Sequence, residues 1–266
     1  MDAPSPGPFD TDADRYDALR PGYPDEAIGW LLESPSDVAD VGAGTGKLTA
    51  ALLAAGHRVV AVEPSEPMLA TLAALHPEAR RVRATGERTG LPDACVDAVC
   101  YGQSWHWTDH AAAAVEALRL LRPGGTLAML WNDADTEVDW VARYQLAQRG
   151  LKQRRAVTRR LPRFLHPDLQ PREEHVVAWT RPISKRDLRD LVTTFSYWRT
   201  ASDEAKRRRL DAVSEQLDAD WPGPDDREIP YPLLTRLTRY RLTARAGLAK
   251  QGLPPARRKH RSSPDA

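Results

Sequence analysis

The stretch Asp40-Val-Gly-Ala-Gly-Thr-Gly46 decides the fold of this chain, because a short apolar run precedes it and an amphipathic run follows it. The run that ends at Val41 predicts a β-strand, and Leu48 and Leu52 predict one apolar helix face within 47–55. Glycines let the backbone turn tightly and approach a ligand closely. A strand, a glycine-rich turn and a helix in this order are typical of a nucleotide site in an α/β protein.

An acidic residue after the next predicted strand extends this pattern. Glu63 follows the apolar run 58–62 and lies 21 positions after Gly42. At the end of a neighbouring parallel strand, its carboxylate could accept hydrogen bonds from ribose hydroxyls. Proteins that bind NAD(P) and proteins that bind S-adenosylmethionine share this arrangement, so it does not distinguish the two cofactors.

Three features favour S-adenosylmethionine. The dinucleotide fingerprint requires a third glycine three positions after the second, and that position is Lys47, so the spacing is GxGxG. Asp40 precedes the glycines, where a carboxylate would repel a pyrophosphate but suits a ligand with an ammonium group. After the fifth predicted strand, the pattern changes to insertions and a hairpin-like end instead of a second mononucleotide-binding half. The alternative is a glycine-rich turn of an ordinary α/β protein.

Short apolar runs alternate with helical patterns in the first half of the chain. The predicted strands are 38–41, 58–62, 81–84, 96–101 and 126–131, and the predicted helices are one after Pro24, then 47–55, 66–75 and 111–121. We expect Thr108 to cap the last of these helices, which would bury Val115, Leu118 and Leu121. This alternation predicts a parallel sheet that is covered on both faces.

The second half predicts a different organisation. Residues 133–172 are arginine-rich and helical or irregular, a sixth strand is predicted at 175–179, and a capping box at Ser184 opens another helix. A further helix is predicted at 202–217, and a last strand at 237–242. The strand is not predicted to begin earlier, because Pro230 and Pro232 lack the N–H groups that pairing with a neighbouring strand requires. We predict a single domain over 1–250, with a cofactor-binding core at 24–132, a cap insertion at 133–172, C-terminal strands and helices at 173–243, and a disordered basic tail at 251–266.

Composition excludes several classes of protein. The 38 Lys and Arg residues balance the 37 Asp and Glu residues, so no overall field favours nucleic acid or a membrane surface. No apolar run of about 18 residues and no secretory signal pattern occurs. The two cysteines, Cys95 and Cys100, predict buried thiols in a reducing compartment, so a cytoplasmic location is expected. We predict no metal site, and oligomeric state is not predicted.

Motifs across the chain carry a resemblance. They are Phe9-Asp-x5-Tyr16-Asp-x2-Arg20-Pro-x-Tyr-Pro24, Asp40–Thr49, Val60-Ala-Val-Glu-Pro64 with Met68, Gln103-Ser-Trp-His-Trp107, Leu121-Arg-Pro-Gly-Gly125 and Trp131-Asn132. In this order the chain resembles class I S-adenosylmethionine-dependent methyltransferases, in particular small-molecule enzymes of the methyltransferase type 11 kind that are similar to trans-aconitate methyltransferases. The resemblance implies a Rossmann-like α/β fold with a seven-stranded, mostly parallel sheet, an antiparallel last strand, helices on both faces and a helical cap insertion.

The resemblance also implies a set of cofactor-binding residues. The glycine loop would contact the methionine part, Glu63 the ribose, and Pro64 and Met68 the adenine, although Met68 fits a helix core equally well. Arg20 could pair with the methionine carboxylate or be a surface arginine. Gly86 stands where alanine is more usual. The implied set is Tyr16, Arg20, Asp40, Gly42, Ala43, Gly44, Thr45, Gly46, Glu63, Pro64, Met68, Thr85, Gly86, Glu87, Gln103 and Ser104.

Four residues are candidates for the substrate side: Trp105, His106, Trp107 and Trp140. Tryptophan faces attract a sulfonium cation, and the alternative is that these rings pack in the core. His106 could act as a general base or only bond a neighbouring carbonyl. Methyl transfer is an in-line displacement, so a base is required only when the nucleophile must lose a proton.

The predicted reaction is methyl transfer to an O, N or C nucleophile of a small molecule, a natural product or a carboxylate being candidates. No Asn/Asp-Pro-Pro-Tyr or Pro-Cys motif of nucleic-acid enzymes occurs. The arginines of the insertion could admit an anion, but a basic helix is more often a solvated face. Three alternatives stay open: a protein that binds the cofactor for a non-methylating reaction such as cyclisation, a non-enzymatic binding partner, and a nicotinamide oxidoreductase.

Overall fold

The computed structural model describes residues 13–34, 36–149 and 166–243. These residues form a seven-stranded sheet in the order β3-β2-β1-β4-β5-β7-β6. The strands are β1 (Asp37–Val41), β2 (Arg58–Val62), β3 (Arg80–Val82), β4 (Val96–Gly102), β5 (Leu121–Ala134), β6 (Leu169–Ser184) and β7 (Glu228–Leu242). The first five strands pair in parallel, and β7 is antiparallel to β5 and to β6. The predicted fold class is confirmed.

Helices follow most strands. They are α1 (Ala13–Leu19), α2 (Asp25–Leu31), α3 (Lys47–Ala54), α4 (Glu66–Leu75), α5 (His110–Leu120), α6 (Asp139–Arg149), α7 (Lys185–Leu191), α8 (Ser196–Arg199) and α9 (Asp203–Asp220). Short 3-10 turns span Trp105–Trp107 and Val192–Thr194. No helix in the described ranges is both long and apolar enough to cross a membrane.

Alternation along the central strands divides the core into two layers. In β1, Ala39 and Val41 pack on the side that α5 covers, whereas Val38 packs on the side of α2 and α3. In β4, Val99 and Cys100 divide in the same way. A parallel sheet buried on both faces requires apolar side chains at successive strand positions. This is why the strands appear in the sequence as continuous apolar runs.

The start of α5 differs from the prediction. Asp109 caps the helix, and its carboxylate accepts hydrogen bonds from the N–H groups of Ala111 (3.0 Å) and Ala112 (3.1 Å). Thr108 instead donates its hydroxyl hydrogen to the carbonyl of Trp105 at 2.8 Å. Both residues are favourable caps, and the preceding 3-10 turn moves the start of the helix to the later one.

The buried face of α5 was also predicted incorrectly. Val115 is 47% exposed, Leu118 is half-buried, and Leu121 is buried but already belongs to β5. The stripe against the sheet is formed by Ala113, Ala114, Ala117 and Leu120. Small side chains allow the helix to lie close to the sheet, so the alanines face inward.

The last strand is longer than predicted and contains both prolines. β7 begins nine residues before the predicted start at Leu237 and includes Pro230 and Pro232. Its pairing with β5 ends at Ala134 and Leu233, so the part that contains the prolines pairs only with β6. Proline lacks an N–H donor and is tolerated where one strand edge has no ladder.

The other predicted C-terminal elements are present with shifted ends. β6 spans Leu169–Ser184 where only 175–179 was predicted. Ser184 caps α7, and its hydroxyl accepts from the N–H of Asp187 at 3.0 Å. The predicted helix 202–217 is α9, which extends to Asp220.

The helices α1, α6, α7, α8 and α9 form a further unit, called here the helical layer. It packs around the parts of β6 and β7 that extend past β5, with a core that includes Leu19, Val141, Tyr144, Leu188, Val213, Leu217, Ile229 and Tyr231. Helix α6 belongs to the predicted cap insertion, whose residues 150–165 lie outside the described ranges, as do the predicted loose start at 1–8 and the predicted tail at 251–266.

Candidate functional site

A cavity of about 630 Å³ opens at the carboxyl ends of β1, β2 and β4. Ligands of open parallel sheets bind at this edge, and the volume suits a ligand of nucleoside size. The end of α1, the glycine loop, the start of α4, the segment after β3 and the segment after β4 all contribute to its wall.

The glycine loop needs glycine for two separate reasons. Gly42, Gly44 and Gly46 all have positive φ, at +69°, +58° and +98°. A Cβ at Gly42 would lie 2.5 Å from the Cβ of Ser104, whereas a Cβ at Gly44 would meet nothing within 4 Å. The loop is therefore a left-handed turn that lies directly against the segment after β4.

Gly46 has a structural role instead of the predicted ligand contact. It caps α3, it is not among the residues that line the cavity, and a Cβ there would lie 2.8 Å from Cδ2 of His76. The first residues of the motif line the cavity, and the last one packs the loop against α4.

Asp40 is a buried acid at the base of the cavity. Its Oδ2 accepts a hydrogen bond from the hydroxyl of Thr49 at 2.7 Å, while its Oδ1 is buried without a partner. Burial raises the pKa of Asp40 to about 7, with a further increase from the nearby Glu63 and an opposing effect of the Thr49 hydrogen bond. A buried acceptor without a donor is unfavourable, so a ligand that brings a cation or a donor here would be stabilised.

Glu63 lies at the end of β2 and is held by two backbone groups. Its Oε2 accepts from the N–H of Gly44 at 2.8 Å, and its Oε1 accepts from the N–H of Ser65 at 2.9 Å. These contacts fix the carboxylate between the glycine loop and the start of α4. The spacing of 21 residues from Gly42 therefore places the acid where the sequence predicted it.

The residues around α4 and after β3 form a second wall. Pro64, Met68, Thr85, Gly86 and Glu87 all line the cavity. Met68 is 3% exposed, so it belongs to the cavity wall and to the helix core at once. A Cβ at position 86 would lie 3.1 Å from Cγ1 of Val41, so an alanine there would require Val41 to shift by a few tenths of an ångström.

Gln103 and Ser104 close the cavity after β4. Gln103 has a φ of +59°, which is uncommon for a side chain of this size. The hydroxyl of Ser104 donates to the carbonyl of Val41 at 2.6 Å. This bond joins the segment after β4 to the end of β1.

Helix α1 is attached to the glycine loop through Asp17. One carboxylate oxygen accepts from the hydroxyl of Thr45 at 2.8 Å, and the other from Nζ of Lys47 at 2.9 Å. The sequence prediction named Tyr16 and Arg20 on this segment and missed Asp17. The available signal was its place in the Tyr16-Asp17 marker, together with a lysine at the third position of the expected fingerprint.

Tyr16 and Arg20 line the cavity from α1. The guanidinium carbon of Arg20 lies 5.2 Å from the ring centre of Tyr16 and 4.5 Å from that of Phe195. Nε of Arg20 is buried without a hydrogen-bond partner. The wall on this side is thus cationic and aromatic.

Asn132, the end of a predicted marker, holds the entrance to α2. Its amide donates to the carbonyl of Gly22 at 2.8 Å, and its oxygen accepts from the hydroxyl of Thr235 at 2.6 Å. Tyr23, which the prediction did not name, lines the cavity beside it. Other lining residues that the prediction missed are Pro21, Val41, Lys47, Leu48, Ser65, Glu66, Pro67, Arg83, Gly102 and Thr108.

Of the four predicted substrate residues, only Trp107 lines the cavity. Trp105 is 1% exposed and lies in the core, edge-on to Tyr101 and stacked on His110 at 5.2 Å. His106 is exposed, does not line the cavity and has its ring 4.9 Å from that of Trp107. These three residues form a 3-10 turn, where successive side chains point about 120° apart, so they cannot share one wall.

Trp140 lies in the helical layer. Its ring is 5.5 Å from Trp221 and 6.0 Å from Tyr231, and it is not among the lining residues. The prediction that Trp140 contacts the substrate is therefore corrected. Helix α6 packs its aromatic face on α9 and β7, which removes the ring from the cavity.

Comparison with known proteins places this arrangement among methyltransferases. A model of the methyltransferase domain matches residues 39–129. An uncharacterized methyltransferase of Mycobacterium bovis is 40% identical over 205 residues, which are 76% of this chain and 82% of that protein. A trans-aconitate 2-methyltransferase of an Azoarcus species is 37% identical over 101 residues, 37% of this chain and 40% of that protein.

A solved structure agrees with this result. The structure of a putative type II methyltransferase from Anaeromyxobacter dehalogenans superposes with a TM-score of 0.57 at 26% identity. The match covers 85% of this chain and 99% of that one. The helical layer, as well as the sheet, is therefore within the range of the similarity.

Proposed function

We propose that this chain, which belongs to the methyltransferase family, transfers a methyl group from S-adenosylmethionine to an O, N or C nucleophile of a small-molecule substrate. The observation that carries the proposal is the buried, unpartnered Oδ1 of Asp40 at the base of a left-handed glycine loop, beside Glu63. The ligand supplies a methyl group on a positively charged sulfur, from which a nucleophile can displace it.

The residues present fit this ligand. Asp40 lacks one donor, which the ammonium group of a methionine moiety supplies. Glu63 is fixed where hydroxyl groups of a ribose can donate to it, and Met68 and Gly86 offer an apolar slot for a flat base. Gln103, which lines the cavity after β4, remains as a donor for a carboxylate. A pyrophosphate, by contrast, would meet two carboxylates, and Lys47 stands where the dinucleotide fingerprint has its third glycine.

The contribution of the chain to the reaction is positioning and exclusion of water. The loop and the segment after β4 are locked by short hydrogen bonds, and Trp107 stands at the mouth with 56% of its surface exposed. Fixed placement of a nucleophile against an electrophilic carbon removes much of the entropic barrier. No histidine or cysteine lines the cavity within the described ranges, which favours acceptors that need little help to lose a proton.

The choice of a small molecule rests on the sequence and on the enclosed shape of the site. The chain lacks the motifs of nucleic-acid methyltransferases, and its charges balance. An acceptor of small size fits a cavity that the glycine loop, α1 and α4 surround.

Calorimetry with S-adenosylmethionine, S-adenosylhomocysteine and NADPH tests the ligand. We expect the first two to bind the wild type and Asp40→Asn to weaken both by about a hundredfold, because a charge-assisted contact is lost. Asp93→Asn, an exposed acid far along the chain from the motif, serves as the matched control and should bind normally. Binding of NADPH alone would contradict the proposal.

Release of S-adenosylhomocysteine in the presence of a panel of small acceptors tests the reaction. Methylated product in equal amount supports methyl transfer. Turnover of an acceptor without S-adenosylhomocysteine release would instead indicate a non-methylating reaction in the same site.

A further inference from the structure

Three arginines, one of which lines the cavity, have no acidic partner among the described residues. Several arginines of the helical layer form ion pairs, as in Arg15–Asp190, Arg143–Asp220 and Arg189–Asp225. In the described ranges, the side chains of Arg20, Arg149 and Arg209 make no hydrogen bond and no ion pair. Nε of Arg20 and Nη1 of Arg209 are buried without an acceptor.

These arginines surround a pair of stacked aromatic rings. Phe195 and Tyr197 stack at 5.4 Å with an angle of 8° between their planes. Arg20 lies 4.5 Å over the ring of Phe195, and Arg209 lies 5.3 Å over the ring of Tyr197. The chain thus forms a continuous row of guanidinium, ring, ring and guanidinium.

Arg149, at the end of α6, follows one helical turn after Gln145, whose amide donates to the hydroxyl of Tyr231 at 3.3 Å. Burial raises the pKa of Tyr197 well above its usual value, and Arg149, Arg209 and Arg20 each oppose that rise. Burial also raises the pKa of Tyr231 to about 12, again with opposing effects of Arg149 and Arg20. The three positive charges therefore act on one small region.

The polar groups of this region are nearly all donors. The hydroxyl of Tyr197 is buried without a partner, as are the two arginine nitrogens. Guanidinium groups donate and cannot accept, so they cannot satisfy one another, and their like charges repel. Among the residues that the structure describes, no negatively charged acceptor contacts these donors.

The region adjoins the cofactor cavity through Arg20. Arg20 and Tyr16 line that cavity, and the other face of the Arg20 guanidinium group meets Phe195. A molecule held by Arg149, Arg209 and Tyr197 would therefore lie next to the cofactor site, where an acceptor substrate must bind.

We propose that Arg20, Arg149, Arg209 and Tyr197 bind an anionic group, a carboxylate or a phosphate, of the acceptor substrate. This inference rests on the proposed function, because the site is placed by its contact with the cofactor cavity. The rings of Phe195 and Tyr197 offer a flat wall for the hydrocarbon part of the same molecule. The arginines concerned come from α1, the end of α6 and α9, and not from the arginine-rich run 150–165.

Binding of matched probes tests the site. Phenylacetate, phenyl phosphate and the neutral phenylacetamide are titrated by tryptophan fluorescence and by NMR, with and without saturating S-adenosylhomocysteine. We expect at least one of the two anions to bind about tenfold more tightly than the amide. The tighter of the two anions identifies a carboxylate or a phosphate as the preferred group.

Variants assign the effect to named residues. Arg149→Gln, Arg209→Gln and the nearly isosteric Tyr197→Phe should each weaken the anion about tenfold and leave S-adenosylhomocysteine affinity unchanged. Arg143→Gln is the matched control on the same helix, because Arg143 is already paired with Asp220. Circular dichroism confirms the fold of each variant.

Two failures are distinguishable. If the anions bind no better than the amide, or if the three variants bind them as well as wild type, the anion site is disproved while cofactor binding stands. If wild type binds no S-adenosylhomocysteine, the proposed function fails, and the titrations without cofactor still decide whether the cluster holds an anion.

Discussion

The two sides of the cavity differ in charge and in how they are held. The sheet edge carries Asp40 and Glu63, which are fixed by hydrogen bonds to groups 2 to 19 positions away in sequence. The helical layer carries Arg20, whose described side-chain contacts are the faces of Tyr16 and Phe195. One side is acidic and rigid, and the other is basic and held by less directional contacts.

This difference indicates a division of labour. A cofactor is always the same molecule, so its site benefits from groups that are fixed in advance. Cation–π contacts constrain a guanidinium group less than a bidentate ion pair does. An arginine held in that way can turn toward a ligand. The contrast predicts that changes at the sheet edge affect cofactor binding, whereas changes in the helical layer affect the acceptor.

The largest expected effect is at Gly42. Gly42→Ala places a Cβ 2.5 Å from the Cβ of Ser104 at a φ of +69°, so we expect loss of measurable cofactor binding and a loss of about 2 kcal/mol or more in unfolding free energy. Calorimetry and urea unfolding measure both. Gly22→Ala, where a Cβ meets nothing within 4 Å, is the control and should be near wild type.

A double variant sharpens this prediction. Adding Ser104→Gly to Gly42→Ala removes the clash but not the unfavourable φ. Partial recovery of stability is expected. No recovery at all would show that conformation and not crowding makes glycine necessary there.

The next effect is the pH dependence of cofactor binding. The pKa of Asp40 is about 7, and the ionised form binds the cationic ligand, so affinity should fall by up to about tenfold per pH unit below 7. Asp40→Asn should remove this dependence. Calorimetry between about pH 5.5 and 8, a range centred near that pKa, measures the pH dependence of affinity for both proteins. The same slope for wild type and Asp40→Asn would contradict the assignment of this dependence to Asp40.

The same group predicts the opposite trend for stability without ligand. The pKa of Asp40 in the fold lies above the ordinary value of 3.8, so its favourable contribution is full below about pH 4 and is lost as pH rises through 7. Unfolding free energies of wild type minus Asp40→Asn should therefore decline from pH 4 to pH 8. A flat difference would exclude a raised pKa.

A smaller effect is expected where the two sides meet. Asp17→Asn removes the charge that Lys47 and Thr45 contact, and we expect cofactor affinity to fall about five- to tenfold. Asp25→Asn, an exposed acid in the first turn of α2, is the control. Unchanged affinity would mean that the contact of Asp17 with the glycine loop does not contribute to cofactor binding.

The smallest effect is expected at His106. Because its side chain is exposed and does not line the cavity, His106→Ala should change kcat/KM by less than about threefold, whereas Trp107→Ala should reduce it about tenfold. Steady-state S-adenosylhomocysteine release measures both. A loss of a hundredfold or more at His106 would restore the general-base hypothesis.

The sheet edge could be predicted from sequence because its determinants are local. Gly42, Asp40 and Glu63 belong to two adjacent strand ends, and parallel strands bring their carboxyl ends to one edge. The glycines, the acid at each strand end and Lys47 at the third fingerprint position therefore predict the cofactor site without knowledge of the rest of the chain.

The wrong predictions concern positions where the sequence allowed two local arrangements and tertiary packing decided between them. Trp105 and Trp107 are equivalent in the sequence, and the 3-10 turn sends one ring into the core and the other to the mouth. Pro230 and Pro232 lack the N–H groups that strand pairing uses. The pairing of β7 with β5 ends at Leu233, so the edge of β7 that carries the prolines has no second partner strand.

The sheet, the glycine loop and the acids Asp40 and Glu63 follow from the order of residues along the chain, since each depends on near neighbours in the sequence. The contact of Asp17 with the loop, and the row that Arg20, Phe195, Tyr197 and Arg209 form, arise only from the packing of the helices. Arg20 and Arg209 are 189 positions apart, and no local pattern encodes contacts that form only when separate helices pack together.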